Sequence, residues 1–165
     1  MQYFRVVQKV LSFGPTYIVY AEGSETPIMT VRGKLFSITP KLDAKEGDKP
    51  EGKTLATVTG NFFKTKFDMK NADGTDIGSI KFSLLSAIFK NFTLSVGGKS
   101  YKSARELFAE KYSCKDESGK EMFVIAKEKG FRDKFLVLVD DSIQKELGIL
   151  SAIVIDQKFF EEKKK

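Results

Sequence analysis

The chain has 165 residues, 41% of them hydrophobic and 30% charged, so it is long enough to bury a core and too apolar to stay disordered. It has no histidine, which excludes every catalytic or metal site that needs an imidazole, and one cysteine, Cys114, which excludes an intramolecular disulfide. Lys163, Lys164 and Lys165 supply half of the formal net charge of +6, so the rest of the chain is only mildly basic.

Most of the chain alternates apolar and polar residues with a period of two, or carries short β-branched runs, and both patterns predict strands. Turns rich in glycine and aspartate separate the runs. In chain order the predicted strands are 3–11, 16–21, 27–32, 35–42, 54–60, 65–71, 76–82, 90–96, 100–104, 109–116, 121–127 and 134–140. About twelve short strands joined by hairpins predict one domain over residues 1–165, built as a sandwich or a closed barrel.

An internal repeat supports the hairpin pattern. The segment from Phe67 aligns without gaps with the segment from Tyr112, and in each the glycine comes seven residues after the aromatic residue. A looser copy from Tyr17 has its glycine one residue earlier. The unit is an aromatic strand, a turn and a returning strand.

Residues 103–109 carry conflicting signals. Ser103 and Glu106 have the spacing of a capping box, which favours a helix through Phe108. A barrel instead favours a strand and a turn in this segment. The sequence leaves helix and strand both open here.

The most apolar stretch, Leu147–Ile155, has no charged side chain. As a helix it reaches about 14 Å against a hydrocarbon core of about 30 Å, so it does not span a bilayer. A helix over about 142–158, with Ser142 as N-cap, is apolar on every side, which predicts a buried helix that fills the barrel. A buried strand is the alternative because Ile153 and its neighbours are β-branched. A basic tail, 159–165, follows.

Three places give the chain a resemblance to the tubby-like superfamily, and within it to the LURP-one-related family, to which the phospholipid scramblases form a related branch. They are Val31–Ile38 (VRGKLFSI), the Asp73-Gly74 and Ser118-Gly119 hairpins, and Leu150–Glu161 (LSAIVIDQKFFE). The resemblance implies a mainly β fold: a twelve-stranded closed antiparallel barrel around a central, apolar, C-terminal α-helix.

Tubby domains bind phosphatidylinositol bisphosphate, and scramblases are associated with lipid movement and calcium, so the resemblance implies phospholipid binding. The headgroup-binding residues of tubby domains have no counterpart that aligns here. Of the acidic scramblase calcium segment only Asp140 and Asp141 are matched, and no proline follows Pro50, so no metal or other cofactor is expected. The two aspartates fit better as the end of the last strand and as negative charge near the helix N-terminus.

Basic residues recur in pairs at i, i+2, a spacing that puts both side chains on one face of a strand. If neighbouring strands align these pairs, the outer face gains a basic stripe able to bind lipid phosphates or a nucleic-acid backbone. The alternative is a solvated face whose charges discourage edge pairing. Phe63 or Phe67, beside these lysines, is expected to face the core. The candidate lipid-phosphate residues are Arg32, Lys34, Lys64, Lys66, Lys127, Lys129, Arg132 and Lys134.

The sequence therefore predicts a non-catalytic barrel that binds anionic phospholipids, phosphoinositides included, at a membrane surface. A protein-interaction or structural module without a small ligand is one alternative, and an enzyme that works through carboxylates is another. Nucleic acid is not an expected partner. No signal-peptide pattern opens the chain, so we expect a cytoplasmic location, peripheral to the membrane.

Overall fold

The structure, a computed structural model, describes residues 1–11, 14–35, 37–49, 51–83, 91–105, 111–127 and 133–161. Within these ranges twelve strands form one closed antiparallel barrel, in which each strand pairs with its neighbours in sequence and β1 pairs with β12. The strands are β1 Gln2–Leu11, β2 Gly14–Ala21, β3 Pro27–Lys34, β4 Lys41–Glu46, β5 Thr54–Gly60, β6 Lys66–Asn71, β7 Asp76–Phe82, β8 Phe92–Val96, β9 Lys99–Arg105, β10 Lys111–Lys115, β11 Glu121–Lys127 and β12 Lys134–Val139. The predicted barrel is confirmed.

A helix fills the barrel. Helix α1 covers Lys145–Ile155 and continues without a break as a π-helix over Asp156–Glu161. Every residue from Leu147 to Ile155 is buried, so the central apolar helix is confirmed and the alternative of a buried strand is wrong. Its side chains meet the inward residues of the strands, which are almost all apolar and alternate with mostly polar outward residues. None of the described helices is long and apolar enough to cross a membrane.

The start of α1 differs from the prediction. The helix begins at Lys145 with Gln144 as N-cap, and Ser142 does not cap it. Ser142 instead donates its backbone N–H and its hydroxyl to the carboxylate of Asp140, at 3.0 and 2.5 Å. A hydrogen bond from Lys120, together with these two, holds the pKa of Asp140 well below its usual range. Asp140 thus shapes the turn that leads from β12 into the barrel, because its Oδ2 accepts both Ser142 donors.

The fourth strand was predicted over 35–42, whereas β4 covers Lys41–Glu46. The prediction is wrong because Leu35 leaves the sheet: its side chain is buried, and its N–H donates to Gln157 Oε1 at 3.2 Å. Pro40, which has no N–H to give a ladder, ends the connection. Only Leu42 and Ala44 of β4 are buried apolar residues, which made the strand hard to see.

The internal sequence repeat corresponds to β-hairpins in the structure. Both good copies close alike: Gly74 N–H donates to Asn71 O and Gly119 N–H to Asp116 O, each at 3.0 Å. Both glycines have φ near +90°, at +88° and +87°, which favours glycine in these turns. Phe67 and Tyr112 begin the two copies and are both buried.

The structure answers for part of the segment 103–109 whether it is helix or strand. Ser103 lies in β9, and its hydroxyl accepts a hydrogen bond from Phe92 N–H at 2.9 Å, so it does not open a helix. Residues 106–109 lie outside the described residues. Cys114, on β10, is fully buried, and burial raises the pKa of its thiol to about 12, as expected for a small core residue.

Candidate phosphate-binding surface

The barrel has two ends, set by the direction of α1. At the helix-exit end, where α1 passes into the π-helix, lie the β3–β4 connection (35–40) and the β5–β6 loop (61–65). Gln157 contacts the first, and Lys158 Nζ donates to the carbonyl of Lys64 in the second at 3.2 Å. The helix-entry end carries the turns 22–26, 47–53, 72–75 and 116–120, and there Gln144 donates to Asn71 at 2.7 Å.

The eight predicted phosphate residues do not form one stripe. Arg32 and Lys34 do share the outer face of β3, as their spacing predicted. Lys66 lies on the outer face of β6, but Lys64 is in the loop before it, so these two are not a strand pair. Lys134 begins β12, on the far side of the barrel from β6. Lys129 and Arg132 lie outside the described residues.

Lys127 faces the interior. Its ammonium group lies 2.5 Å from Asp156 Oδ1, and the two side chains are 4% and 0% exposed. Tyr17 donates its hydroxyl to the other oxygen of Asp156 at 3.2 Å, and Lys127 lies 5.4 Å from the centre of the Phe135 ring. The expectation that Lys127 is an outer-face residue is therefore wrong. The repeat contained the signal, since Lys127 aligns with the buried Phe82.

A different set of lysines does come together on the outer face. In the strand register Lys66 of β6 faces Lys81 of β7, Lys81 faces Thr93 of β8, Thr93 faces Lys102 of β9, and Lys102 faces Lys115 of β10. We call these four lysines, with Thr93 between the two pairs, the lysine row. It spans five neighbouring strands, about 19 Å at the usual spacing. Its last member faces Glu121.

The lysine row places like charges directly opposite each other, which destabilises a sheet. Lys81, Lys102 and Lys115 are exposed, and within the described part of the chain only Lys66 among the four has an ion-pair partner, Asp68 at 3.5 Å. Such an arrangement attracts anions, because a phosphate between two ammonium groups relieves their repulsion and accepts hydrogen bonds from both.

Hydroxyl groups border the lysine row. On the same face Ser79 of β7 faces Ser95 of β8, and Ser95 faces Ser100 of β9, with 3.4 Å between the last two hydroxyl oxygens. Serine hydroxyls rotate freely and donate to phosphate oxygens. The surface thus offers ammonium donors in one row and hydroxyl donors in the next.

The β5–β6 loop is tightly built. Asn61 Oδ1 accepts from the N–H groups of Thr65 and Lys66, at 2.8 and 3.1 Å, while Lys64 N–H donates to Asn61 O at 3.1 Å. Between them Phe62 and Phe63 point to solvent, 81% and 75% exposed. One of Phe63 and Phe67 was expected to face the core, and Phe67 does. The loop therefore displays two aromatic rings at the helix-exit end.

Lys64 has φ +56°, the only positive φ of a residue other than glycine in the described ranges. A left-handed residue with a Cβ costs about 1 to 2 kcal/mol, and glycine at such a position loses about 0.5 to 1 kcal/mol in chain entropy. We expect Lys64→Gly to raise the free energy of unfolding by about 0.5 to 1 kcal/mol in urea titrations. The control Lys66→Gly, at the first residue of β6, is expected to lower it. Equal losses in both variants would contradict the strain at Lys64.

Other features lie apart from this surface. A cavity of about 380 Å³ at the helix-entry end is lined by Pro27, Ile28, Met29, Glu46, Gly47, Leu55, Lys145 and Glu146. Among the described residues no three acidic or cysteine side chains are grouped closely enough to hold a metal ion. Hydrogen bonds lower the pKa of Asp73 and Asp116, which serve the hairpin turns.

Comparison with known proteins identifies a matching family model and a solved structure of the same fold. A family model described as LURP-one-related matches residues 2–156. The search of curated proteins found no match. A solved X-ray structure of a protein from Arabidopsis thaliana is similar with a TM-score of 0.60 and 10% sequence identity, over 94% of this chain and 90% of that one. At this identity the similarity shows the fold alone.

Proposed function

The chain belongs to the LURP-one-related family, and on that premise we propose that it is a non-catalytic barrel that binds anionic phospholipids through the lysine row. The observation that carries the proposal is the register that sets Lys66 opposite Lys81 and Lys102 opposite Lys115. The two lysines of each pair repel each other, and a phosphate group bound between them relieves this repulsion. Because Thr93 separates the two pairs, each pair suits its own phosphate group.

The free energy that each lysine contributes favours binding to a surface with many phosphates over binding to one small anion. Each lysine near an anionic membrane contributes about 1 kcal/mol, so four together contribute about 4 kcal/mol at low salt. Binding of this kind requires no deep pocket, and the lysine row lies on the open outer wall. The binding is therefore expected to fall steeply as salt screens the charges.

The test is co-sedimentation with vesicles, either neutral or containing phosphoinositides, at low and physiological salt. We expect the phosphoinositide vesicles to bind the chain and the variant Lys81→Gln/Lys102→Gln to bind about 30-fold more weakly, from about 1 kcal/mol per lysine. The matched control is Lys49→Gln/Lys53→Gln, which removes the same charge from exposed residues at the helix-entry end.

Two further outcomes decide the proposal. A chain that ends at Glu162, without the three terminal lysines, is expected to keep selective binding if the lysine row is the site. Equal losses of affinity in the two glutamine variants would show that binding depends only on net charge and not on the lysine row. Absence of binding to either vesicle would overturn the proposal and leave a protein-interaction module as the better account.

A further inference from the structure

The most exposed large apolar side chains in the described residues gather at one end of the barrel. Ile38 in the β3–β4 connection is 93% exposed, and Phe62 and Phe63 in the β5–β6 loop are 81% and 75% exposed. The two loops are neighbours, because Gly60 N–H donates to Pro40 O at 3.0 Å. We call these three residues the apolar tip. Large apolar side chains grouped on loop ends mark an interaction site.

The two rings of the apolar tip are held in place. They pack edge to face with 5.5 Å between their centres, on a loop that Asn61 closes with hydrogen bonds to Thr65 and Lys66. A loop already ordered loses little conformational freedom when it enters another phase. The strained backbone at Lys64 is part of the same turn.

The charged residues around the apolar tip favour an anionic partner. Lys34 and Lys41 face each other on β3 and β4, beside the connection that carries Ile38. Lys64 follows Phe63 directly, and Lys66, the first member of the lysine row, begins β6. Asp43, near Lys41 at 3.7 Å, and Asp68, near Lys66, offset part of this charge. Aromatic side chains ringed by lysines suit the boundary between anionic headgroups and acyl chains.

We propose that the apolar tip inserts into an anionic bilayer and that the barrel docks with its helix-exit end toward the membrane. This inference rests on the proposed function, since it concerns the same bilayer. The lysine row begins at this end with Lys66 and runs obliquely down the wall to Lys115, the last residue of β10. A tilted barrel therefore brings the apolar tip and the part of the lysine row nearest to it to one membrane surface.

The sequence supplies a clean probe because it contains no tryptophan. Phe62→Trp introduces one fluorophore at the apolar tip, and Tyr3→Trp introduces one on β1 near the helix-entry end, where Tyr3 is 46% exposed. On adding phosphoinositide vesicles we expect the emission of Phe62→Trp to shift to the blue and to be quenched by lipids brominated on the acyl chains. The emission of Tyr3→Trp is expected to stay unchanged.

The outcomes separate insertion from binding. If Phe62→Trp sediments with the vesicles but its emission neither shifts nor is quenched, insertion is overturned and phosphate binding stands. If the chain does not sediment at all, both are overturned.

A second variant tests the energetics of insertion. Phe62→Ser/Phe63→Ser is expected to bind at least tenfold more weakly at physiological salt, because each buried phenylalanine contributes a factor of about ten or more. Its remaining binding is expected to be abolished by high salt, whereas the glutamine variant of the lysine row retains a part that salt does not remove. Unchanged affinity in the serine variant would overturn the inference.

Discussion

Replacing Asp156 by asparagine is expected to lower the free energy of unfolding by about 3 to 5 kcal/mol, the usual cost of breaking a buried ion pair from one side. Asparagine has nearly the same volume and still offers an oxygen to the Tyr17 hydroxyl, so packing changes little. What changes is charge: Lys127, 4% exposed, keeps its ammonium group in the interior without the carboxylate now 2.5 Å away. The carboxylate then no longer offsets the desolvation of that cation.

Denaturant titrations followed by circular dichroism measure this loss. Cys114 gives a second probe, because its buried thiol should react with a disulfide reagent only when the chain unfolds. The control is Lys127→Met/Asp156→Asn, which removes the cation as well and is expected to regain part of the stability. A loss below about 1 kcal/mol in the single variant would show that the pair contributes little, as exposed pairs do.

The second large effect is expected at Gly148, the fourth residue of α1. In an unpacked helix, Gly→Ala stabilises by about 1 kcal/mol. Here a Cβ on Gly148 would overlap both methyl groups of Val139 on β12. Forcing a methyl group into a packed core costs about 1 to 3 kcal/mol, and more where backbone elements must separate, so we expect Gly148→Ala to destabilise.

Thermal and denaturant unfolding of Gly148→Ala test this expectation. Gly148→Ala/Val139→Ala is the matched rescue, because it removes the overlapping methyl groups, and it is expected to recover stability relative to Val139→Ala alone. The change Lys145→Ala, at an exposed position of the same helix, serves as the control for propensity. If Gly148→Ala is as stable as the parent chain, α1 does not pack against β12 as described.

Much of the fold follows from the sequence because its signals are local. The hairpins at Gly74 and Gly119 need glycine at positive φ, and the uncharged stretch 147–155 has no polar face to turn to water. The strand β4 was misplaced because its inward residues are few and its outward ones charged. The start of α1 was misplaced because hydrogen bonds to Asp140 hold Ser142 in the turn before the helix, which residue type alone does not reveal.

The candidate site was harder to predict from the sequence, because it depends on the register between neighbouring strands. Spacing at i, i+2 shows which residues of one strand share a face, but it does not say which residue of the next strand lies opposite. Lys66, Lys81, Lys102 and Lys115 are far apart in sequence and meet only through four pairings. Lys127 was misjudged because an ion pair buries a residue that composition alone assigns to the surface.

Closure of the barrel by its first and last strands has a consequence for biosynthesis. Chains fold as they leave the ribosome from the N-terminus onward, yet Gln2 of β1 pairs with Val139 of β12, and the helix that fills the interior comes later still. Until β12 has emerged, the barrel has an open edge, and until residues 145–155 follow, its apolar lining is unfilled. A product that stops short of α1 is therefore expected to be a target for chaperones and proteases.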